Sequence, residues 1–510
     1  MTEASEPTTV PSLWQKGTPI PGWRPSPGAV RRPGRLAPFW SARDVPIAHR
    51  TLLACAVVGV VAAVALVGHR PGLGAAVAGA LIWVAAAPAL GRRRSVPDLV
   101  TAALSVALVA VVAVRAAGWV VGLCAVVAAW AAASAVTGAR SAPAFLAAPL
   151  SWAAGAARAV PWVTSGIGRA AGSRRGQLLV VLRSVSITVG LLVVFGLLFA
   201  SADQVFASYL PTLHVDLLPA QIAVGVAVAV VAATFAQLAM APPGWSDARP
   251  GPAAPARRGE WLLPVLALDA LVLAFVLVQV GALLGGHRHV LDTEGLTYAH
   301  YARQGFAQLV VATALTLVVV AVAARRAPRA NPTDRLLSRV ALGLLCVGTL
   351  GVVASALRRM ALYIDEFGLT RLRLLVGVAE VVLGVVLVLV LVAGVRWSGR
   401  WLPRATVQVV AVAMLGLALL NPDAQILRYN TTAAARDAID VTYLQGLSSD
   451  AVPAMARLDE PLRSCLLAGV AAGPAAAGPL AWNLGRERAA RAVADRHLHT
   501  PHPCVAGVDG

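Results

Sequence analysis

The chain has 510 residues, of which 58% are hydrophobic and 13% are charged. Soluble globular proteins carry about 25% charged residues, so this composition excludes that class and indicates that lipid surrounds most of the chain. The formal net charge of +19 would suit nucleic-acid binding in a soluble protein, but here the positions of the arginines give it another explanation.

The first 48 residues form a polar segment with many prolines, among them Pro19, Pro21 and Pro25. Such a segment offers little apolar surface for a core, so we expect residues 1–48 to be a disordered cytoplasmic arm. The first apolar run begins at Thr51, behind this arm. It therefore predicts a retained membrane helix and not a cleaved signal peptide.

Apolar runs of membrane-spanning length follow along most of the chain. About 20 mostly apolar residues in a helix cross the hydrocarbon core of a bilayer, which tolerates no unpaired backbone groups. Eleven runs meet this requirement: 51–68, 72–90, 98–114, 117–136, 183–200, 218–240, 261–284, 303–324, 338–357, 374–395 and 403–420. The sequence therefore predicts an all-α, polytopic transmembrane helix bundle of about eleven spans. Four helices lie within 49–137, and seven form a membrane core within 184–420.

Two further apolar segments are expected to stay on one side of the membrane. Residues 144–171, inside a cytoplasmic loop over 138–183, hold aromatic residues and two prolines among alanines. This pattern favours a helix that lies in the inner interface. Residues 465–482 are interrupted by glycine and proline, so they make a weak twelfth span.

The distribution of basic residues predicts the orientation, because cytoplasmic loops retain them. With the N-terminus inside, 27 of the 43 basic residues fall in inner segments and eight in the short outer loops. This predicts a cytoplasmic N-terminus and a small helical extracytoplasmic tail over 421–510. A basic inner face suits anionic lipid headgroups, so we expect membrane lipids as partners and no nucleic acid.

The five cysteines divide into two groups by predicted location. Cys55, Cys124 and Cys346 lie in predicted spans and are expected to be small apolar core residues. Cys465 and Cys504 lie in the tail, where an oxidising compartment permits a disulfide between them.

Two carboxylates, Asp269 and Glu380, lie inside predicted spans. A charge there is costly unless it faces a partner or a water-filled cavity, so each is a candidate functional residue. In the alternative interpretation, a neighbouring helix satisfies Asp269, and Glu380 lies near enough to the outer face to reach Arg371 or Arg373. Gln279 and Gln237 are polar groups that can join helices by hydrogen bonds.

An arginine cluster follows the ninth predicted span, between positions 356 and 373. Arg358, Arg359, Arg371 and Arg373 could hold a phosphate or carboxylate, because guanidinium groups bind these anions bidentately. The same segment could instead be an interfacial helix whose arginines pair with Asp365 and Glu366.

Motifs for metal, cofactor or common enzyme chemistry are weak or missing. The terminal string RHLHTPHPC holds His497, His499, His502 and Cys504, which are metal-ligand types. It lies at a chain terminus without visible supporting residues, so we predict no metal site. We found no phosphate-cradling loop, dinucleotide fingerprint or nucleophile elbow, and we expect no cofactor.

Several strings together resemble one bacterial family of multi-pass membrane proteins. They are ASADQVF at 200–206, TYAHYARQGFAQL at 297–309, RMALYIDEFGLTRLRL at 359–374, and NPDAQILRYN with VTYLQGLSSDAVPAM between 421 and 455. The resemblance is to domain of unknown function 4173, which is close to 4153, and it covers roughly residues 180–460. It implies a bacterial cytoplasmic membrane location and supplies no activity.

The resemblance singles out polar positions, all in predicted outer loops, outer helix ends or the tail. They are Asp203, Tyr298, Tyr301, Arg303, Arg359, Tyr363, Arg371, Asn421, Asp423, Asn430, Asp440, Tyr443 and Asp450. A composite extracytoplasmic site is therefore physically possible. His300 stands where the family commonly has an acid, which leaves an acid role there in doubt.

Three functions remain open on the sequence alone. The first is a non-catalytic cell-envelope binding, sensing or scaffold role with an extracytoplasmic polar site. The second is transport of a small molecule or ion, in which Asp269 takes part. The third is an enzyme acting on a lipid-linked substrate, with Asp203 as acid or base and the arginines of 358–373 holding phosphate.

Overall fold

The protein is described from a computed structural model. The structure describes residues 45–87, 95–172, 215–244, 257–284, 306–328, 331–396, 398–432, 440–469 and 478–494, together with scattered positions between 180 and 199. Throughout these ranges the regular elements are helices, and none is a strand.

We number the described α-helices in chain order. They are α1 His49–Leu66, α2 Leu73–Ala86, α3 Val96–Val114, α4 Gly118–Thr137, α5 Ala142–Ala147, α6 Leu150–Ala171, α7 Leu218–Met240, α8 Arg258–Leu284, α9 Phe306–Arg326, α10 Pro332–Phe367, α11 Arg371–Arg396, α12 Leu402–Leu419, α13 Pro422–Asn430, α14 Val441–Gln445, α15 Val452–Met455, α16 Leu462–Gly469 and α17 Leu484–Ala494.

Nine of the described helices are long and apolar enough to cross a membrane, namely α1, α3, α4 and α7 to α12. The apolar α2 has 14 residues, which is short for a span. These ten helices correspond to ten of the eleven predicted spans. The remaining one, 183–200, lies outside the described residues apart from scattered positions. The expected polytopic helix bundle is confirmed, whereas the number of spans and the orientation stay predictions.

Helix α10 differs from its predicted span in length. It has 36 residues, which makes it about 54 Å long at 1.5 Å per residue, against about 30 Å for the hydrocarbon core. The predicted span stopped at 357, but beyond that position no glycine or proline occurs until Gly368, which has φ +74°. The segment from Arg358 to Phe367, predicted as part of an outer loop, is therefore the end of this helix.

The membrane helices pack in two groups. Helices α1 to α4 pack with α6 and α7, and α8 to α11 form a second group. Helix α12 contacts α3, α4 and α11, so it joins the two. Glycines permit a close crossing of two helices: a Cβ on Gly59 of α1 would lie 2.6 Å from the carbonyl oxygen of Gly225 in α7. Small residues at such crossings are typical of membrane helix packing.

The predicted interfacial segment forms α5 and α6. Gly155 of α6 faces Thr234 and Leu238 near the end of α7, and Gly166 faces Ile47 just before α1. Helix α6 therefore runs from the last turns of α7 to the start of α1. We call this end of the bundle the far end, and the position of α6 in a lipid interface stays a prediction.

The tail, residues 421–494 in the described ranges, packs over the opposite end of the bundle, which we call the tail end. Its short helices share a core whose fully buried side chains include Ile426, Leu427, Leu444, Met455 and Leu466. The tail contacts the starts of α2, α4 and α11 and the ends of α3, α10 and α12.

The cysteines follow the predicted division in part. Cys55, Cys124 and Cys346 are free and buried in the bundle. Cys465 in α16 takes part in a disulfide bond. Cys504 lies outside the described residues, so the pairing of Cys465 with Cys504 stays a prediction.

Candidate functional site

The most extensive polar site in the described part of the chain surrounds Asp423, at the start of α13. Its side chain is fully buried. Oδ1 accepts hydrogen bonds from Arg371 Nε at 3.0 Å and Trp119 Nε1 at 3.1 Å. Oδ2 accepts from Arg371 Nη2 at 2.9 Å and the backbone N–H of Ser448 at 2.8 Å. Four donors from three distant segments thus hold one carboxylate.

Arg371, the first residue of α11, makes further contacts with the tail. Its Nη2 also donates to the carbonyl of Gly446 at 3.0 Å, and its backbone N–H donates to Tyr443 Oη at 2.8 Å. Burial raises the pKa of Asp423, but the hydrogen bonds from Arg371 and Ser448 outweigh burial and hold this pKa below its usual range. Asp423 is therefore ionised and paired at neutral pH.

A second buried carboxylate, Asp450, lies at the start of α4. Its Oδ2 accepts from the backbone N–H groups of Ala116 and Ala117, both at 2.8 Å. A carboxylate suits this place because the first N–H groups of a helix lack internal partners and carry partial positive charge. Burial is nevertheless the largest effect, and it raises the pKa of Asp450 despite these bonds and the nearby Arg115. A Cβ on Gly485 would overlap Asp450 Oδ1.

Two asparagines bond to backbone, Asn430 to the α10–α11 turn and Asn421 to another part of the tail. Asn430 Oδ1 accepts from the N–H of Leu369 at 2.7 Å, and its Nδ2 donates to the carbonyl of Leu369 at 2.9 Å. Asn421 Nδ2 donates to the carbonyl of Asp450 at 2.9 Å. Asn421 has φ +52°, a left-handed conformation that asparagine tolerates better than most residues.

Other side chains occupy carbonyl groups at helix ends. Arg115 donates to the carbonyls of Ala418 and Leu419 at the end of α12. Asn483 of the tail donates to the carbonyls of Val112 and Arg115 at the end of α3, both at 2.9 Å. Basic and amide donors at these positions satisfy carbonyls that the helices leave unpaired.

We call the set of Arg371, Asp423, Asn430, Asn421 and Asp450 the tail latch. Its hydrogen bonds connect the tail to α4, to α11 and to the α10–α11 turn. Asp423 has no exposed surface, and both its oxygens are occupied. The latch therefore holds the chain together and does not present its central carboxylate to a substrate.

Most of the chain matches one known protein family. The family model described as "Domain of unknown function (DUF4153)" matches residues 103–458. The chain belongs to this family. The match supports an uncharacterised family, but the label 4173 is not confirmed and stays a prediction. No curated protein and no solved structure matches the chain.

The DUF4153 match includes every residue of the tail latch, and it ends before Asn483 and α17. The sequence predicted the five latch residues as candidates but not Trp119, which donates to Asp423, nor Arg115 and Asn483, which donate to carbonyls at helix ends. The sequence did mark two of these residues, because Arg115 lies in the short predicted outer loop between the third and fourth spans and Trp119 lies near the start of the fourth. Which carboxylate or carbonyl they contact depends on tertiary packing.

The arginine cluster of this DUF4153 chain is divided by the structure. Arg371 bonds to Asp423, whereas Arg373 donates to the carbonyls of Phe367 and Gly368 and lies 4.2 Å from the ring centre of Tyr363. Arg358 is exposed and Arg359 is half-buried, both on the last turns of α10. Asp365, one of the two acids that the interfacial-helix alternative pairs with these arginines, accepts a hydrogen bond from Tyr429.

The intramembrane polar residues lie in the α8–α11 group. Asp269 and Glu380 are buried, and Gln279 accepts a hydrogen bond from Ser355 of α10 at 3.1 Å. The expectation that Glu380 reaches Arg371 or Arg373 is wrong, because both arginines bond elsewhere and Glu380 accepts from Thr313 of α9. Gln237 lies apart from this group, buried near the end of α7.

The remaining candidates fall outside the described residues. These are Asp203, Tyr298, His300, Tyr301, Arg303, His497, His499, His502 and Cys504. Within the ranges that the structure describes, no three histidine, cysteine, aspartate or glutamate residues lie close enough together to hold a metal ion.

Proposed function

We propose that this DUF4153 protein is a non-catalytic protein of the bacterial cytoplasmic membrane, in which the tail end faces out of the cell and serves as a binding, sensing or scaffold surface. Its membership of an uncharacterised family and its apolar helices support a multi-pass membrane protein. The asymmetry of basic residues supports the orientation.

The observation that carries the proposal is the occupied carboxylate of Asp423. A general acid, general base or anion site needs groups that can reach a substrate. Asp423 is fully buried with four donors, and Arg371 is bonded to it. The polar residues of the tail latch are therefore used to build a rigid surface over the bundle.

The enzyme alternative has less support. Arg373, one of its phosphate-binding candidates, is bonded to backbone carbonyls, and Arg371 is paired with Asp423. The acid or base that it requires, Asp203, lies outside the described residues.

The test compares single and double substitutions of the central ion pair. Breaking a buried pair by removing one partner costs about 3–5 kcal/mol, whereas replacing both with apolar residues is often neutral. We expect R371M and D423L to lower the protein's abundance in membranes and to expose the tail to trypsin. The double variant R371M/D423L leaves the N–H groups of Trp119 and Ser448 without their acceptor, so it is expected to recover both properties in large part, well above either single variant, and to complement a deletion strain.

The control is D459N, which removes an exposed carboxylate from the tail and is expected to behave like the wild type. A double variant whose tail resists trypsin but which fails to complement would show that Arg371 or Asp423 acts chemically. That result would reject the non-catalytic role.

A further inference from the structure

The second group of helices, α8 to α11, contains a carboxylate that nothing in the tail latch explains. Asp269, near the middle of α8, is 3% exposed. Neither of its oxygens has a hydrogen-bond partner among the described residues. Acids that lie inside a membrane bundle without a basic partner commonly mark ion or proton pathways.

A second carboxylate lies in the same group, on α11. Glu380 is fully buried, and its Oε1 accepts a hydrogen bond from Thr313 Oγ1 at 3.4 Å. Its Oε2 has no partner within the described ranges. None of the ion pairs in this part of the chain includes Asp269 or Glu380. The group therefore holds two separate acids without compensating cations.

Contacts between helices give the depth of Asp269. Helices α8 and α10 run parallel, since Arg258 pairs with Asp334 at the far end and Gln279 bonds to Ser355 toward the tail end. This register places Asp269 beside Cys346 of α10, about 16 Å from the far-end ion pair at 1.5 Å per residue. Asp269 is thus deep in the bundle.

The depth of Glu380 follows from α11, which runs antiparallel to α10. A Cβ on Gly384 would lie 3.2 Å from Val353 Cγ1, so Glu380, one turn nearer the tail end, is level with Leu357. The two acids are therefore separated by about 17 Å along the bundle axis, given the rise of an α-helix.

Polar groups, buried or half-buried, lie between these two depths. Thr349 of α10 is 1% exposed, and Gln279 and Ser355 bond to each other one to two turns further toward the tail end. Between the depth of Asp269 and the depth of Glu380, polar side chains recur every one to two helical turns along the bundle axis. This spacing gives a discontinuous polar line through otherwise apolar packing of Val265, Leu345, Val353 and Leu387.

The surroundings of Asp269 favour a proton over a metal cation. A metal cation needs several oxygen ligands, and in the described part of the chain no group of three ligand side chains is assembled. From the facing helix α10, the thiol of Cys346 interacts electrostatically with Asp269. Thr313 faces Glu380 from α9. On α10, the charged residues closest to Glu380 along the bundle axis are Arg358 and Arg359. A lone carboxylate in apolar packing can bind a proton without other ligands.

We propose that Asp269 and Glu380 are the two proton-binding stations of a path through α8 to α11. Each carboxylate takes up one proton to become a neutral carboxylic acid and then releases it, and only O–H bonds form or break. This inference goes beyond the proposed function, because it concerns the membrane core and is independent of the tail latch.

The first test measures proton flux in liposomes containing the purified full-length protein. A potassium gradient with valinomycin drives protons inward, and a trapped pH-sensitive dye reports acidification. We expect wild-type protein to acidify the lumen faster than protein-free liposomes, and D269N and E380Q each to reduce the rate to the protein-free level. D459N, on the exposed tail, is the control and is expected to keep the wild-type rate.

The second test does not depend on a variant folding. Dicyclohexylcarbodiimide modifies protonated carboxyl groups in apolar surroundings, so mass spectrometry of labelled wild-type protein should find adducts on Asp269 and Glu380 that decrease as pH rises. Three results would each overturn the proposal. The first is that liposomes with wild-type protein acidify no faster than protein-free liposomes. The second is proton flux that survives either substitution, and the third is the absence of both adducts. Failure of the R371M/D423L rescue would leave these results unchanged, so the two proposals fail separately.

Discussion

At the scale of single residues, the pKa values of two buried aspartates of the tail latch shift in opposite directions. Asp423 receives four donors that include a guanidinium, and these lower its pKa despite burial. Asp450 receives two backbone N–H groups, and burial raises its pKa despite them. The difference arises because a charged, bidentate partner compensates desolvation more fully than neutral donors do.

These directions predict opposite effects of removing the two charges. A carboxyl with a lowered folded pKa stabilises the protein above its unfolded pKa of about 3.9, and that stability is lost as pH falls through the folded value. We expect D423N to lower the free energy of unfolding by about 3 kcal/mol at pH 7, the low end for a buried pair because the Arg371 side chain is 33% exposed. Below about pH 4 the difference from the wild type should shrink.

The same reasoning gives the opposite pH dependence of stability for Asp450. A carboxyl with a raised folded pKa contributes stability below its unfolded pKa and loses it as pH rises through the folded value. The amide oxygen of D450N can still accept from Ala116 and Ala117, so we expect this variant to be as stable as the wild type at pH 7, or more stable. Thermal unfolding in detergent from pH 3 to 8 would measure both variants. A greater loss for D450N than for D423N at pH 7 contradicts the assignment.

At the scale of helices, the α8–α10 contact depends on two glycines. A Cβ on Gly348 would lie 2.8 Å from Val272 Cγ1, and one on Gly351 would lie 2.9 Å from Val276 Cγ2. Both valines are β-branched and stiff, so they cannot move aside easily. The parallel packing that brings Asp269 to Cys346 therefore requires small residues on this face of α10.

We predict that G351V destabilises the protein by about 1–3 kcal/mol, the usual cost of overpacking. The matched control is G343V on the same helix, where a Cβ meets nothing within 4 Å. Both changes introduce the same β-branched residue, so the difference between their unfolding temperatures in detergent isolates the contact with α8. Equal temperatures would show that α8 does not approach α10 this closely.

The sequence predicted these elements well where apolar length alone decides the outcome. Ten predicted spans correspond to described helices because lipid requires long apolar runs. It left the end of α10 open between an outer loop and an interfacial helix, since a charged surface helix and a loop have similar composition. It failed for the partner of Glu380, because Thr313, Arg371 and Arg373 are all near it by predicted depth and only packing selects among them.

At the scale of the whole molecule, polar contacts concentrate at the two ends of the bundle. At the far end, Arg404 of α12 pairs with Asp98 of α3 at 2.7 Å, and Arg258 of α8 pairs with Asp334 of α10. At the tail end, the tail latch satisfies helix ends that would otherwise expose backbone groups. The lateral surface carries exposed leucines and valines such as Leu271, Leu277 and Val385. This distribution is that of a bundle surrounded by lipid.

The opposed ends allow the predicted orientation to be tested with single cysteines. Arg457 is exposed on the tail, and Ser165 is exposed on α6 at the far end. If basic residues keep the far end in the cytoplasm, a membrane-impermeant maleimide should label R457C in intact cells and S165C only after permeabilisation. The parent protein is the control: Cys55, Cys124 and Cys346 are buried, Cys465 is in a disulfide bond, and any label on Cys504 is measured as background. Labelling of S165C but not R457C in intact cells would place the tail in the cytoplasm. The extracytoplasmic surface and an oxidising compartment for Cys465 would then both be rejected, whereas the tail latch itself would stand.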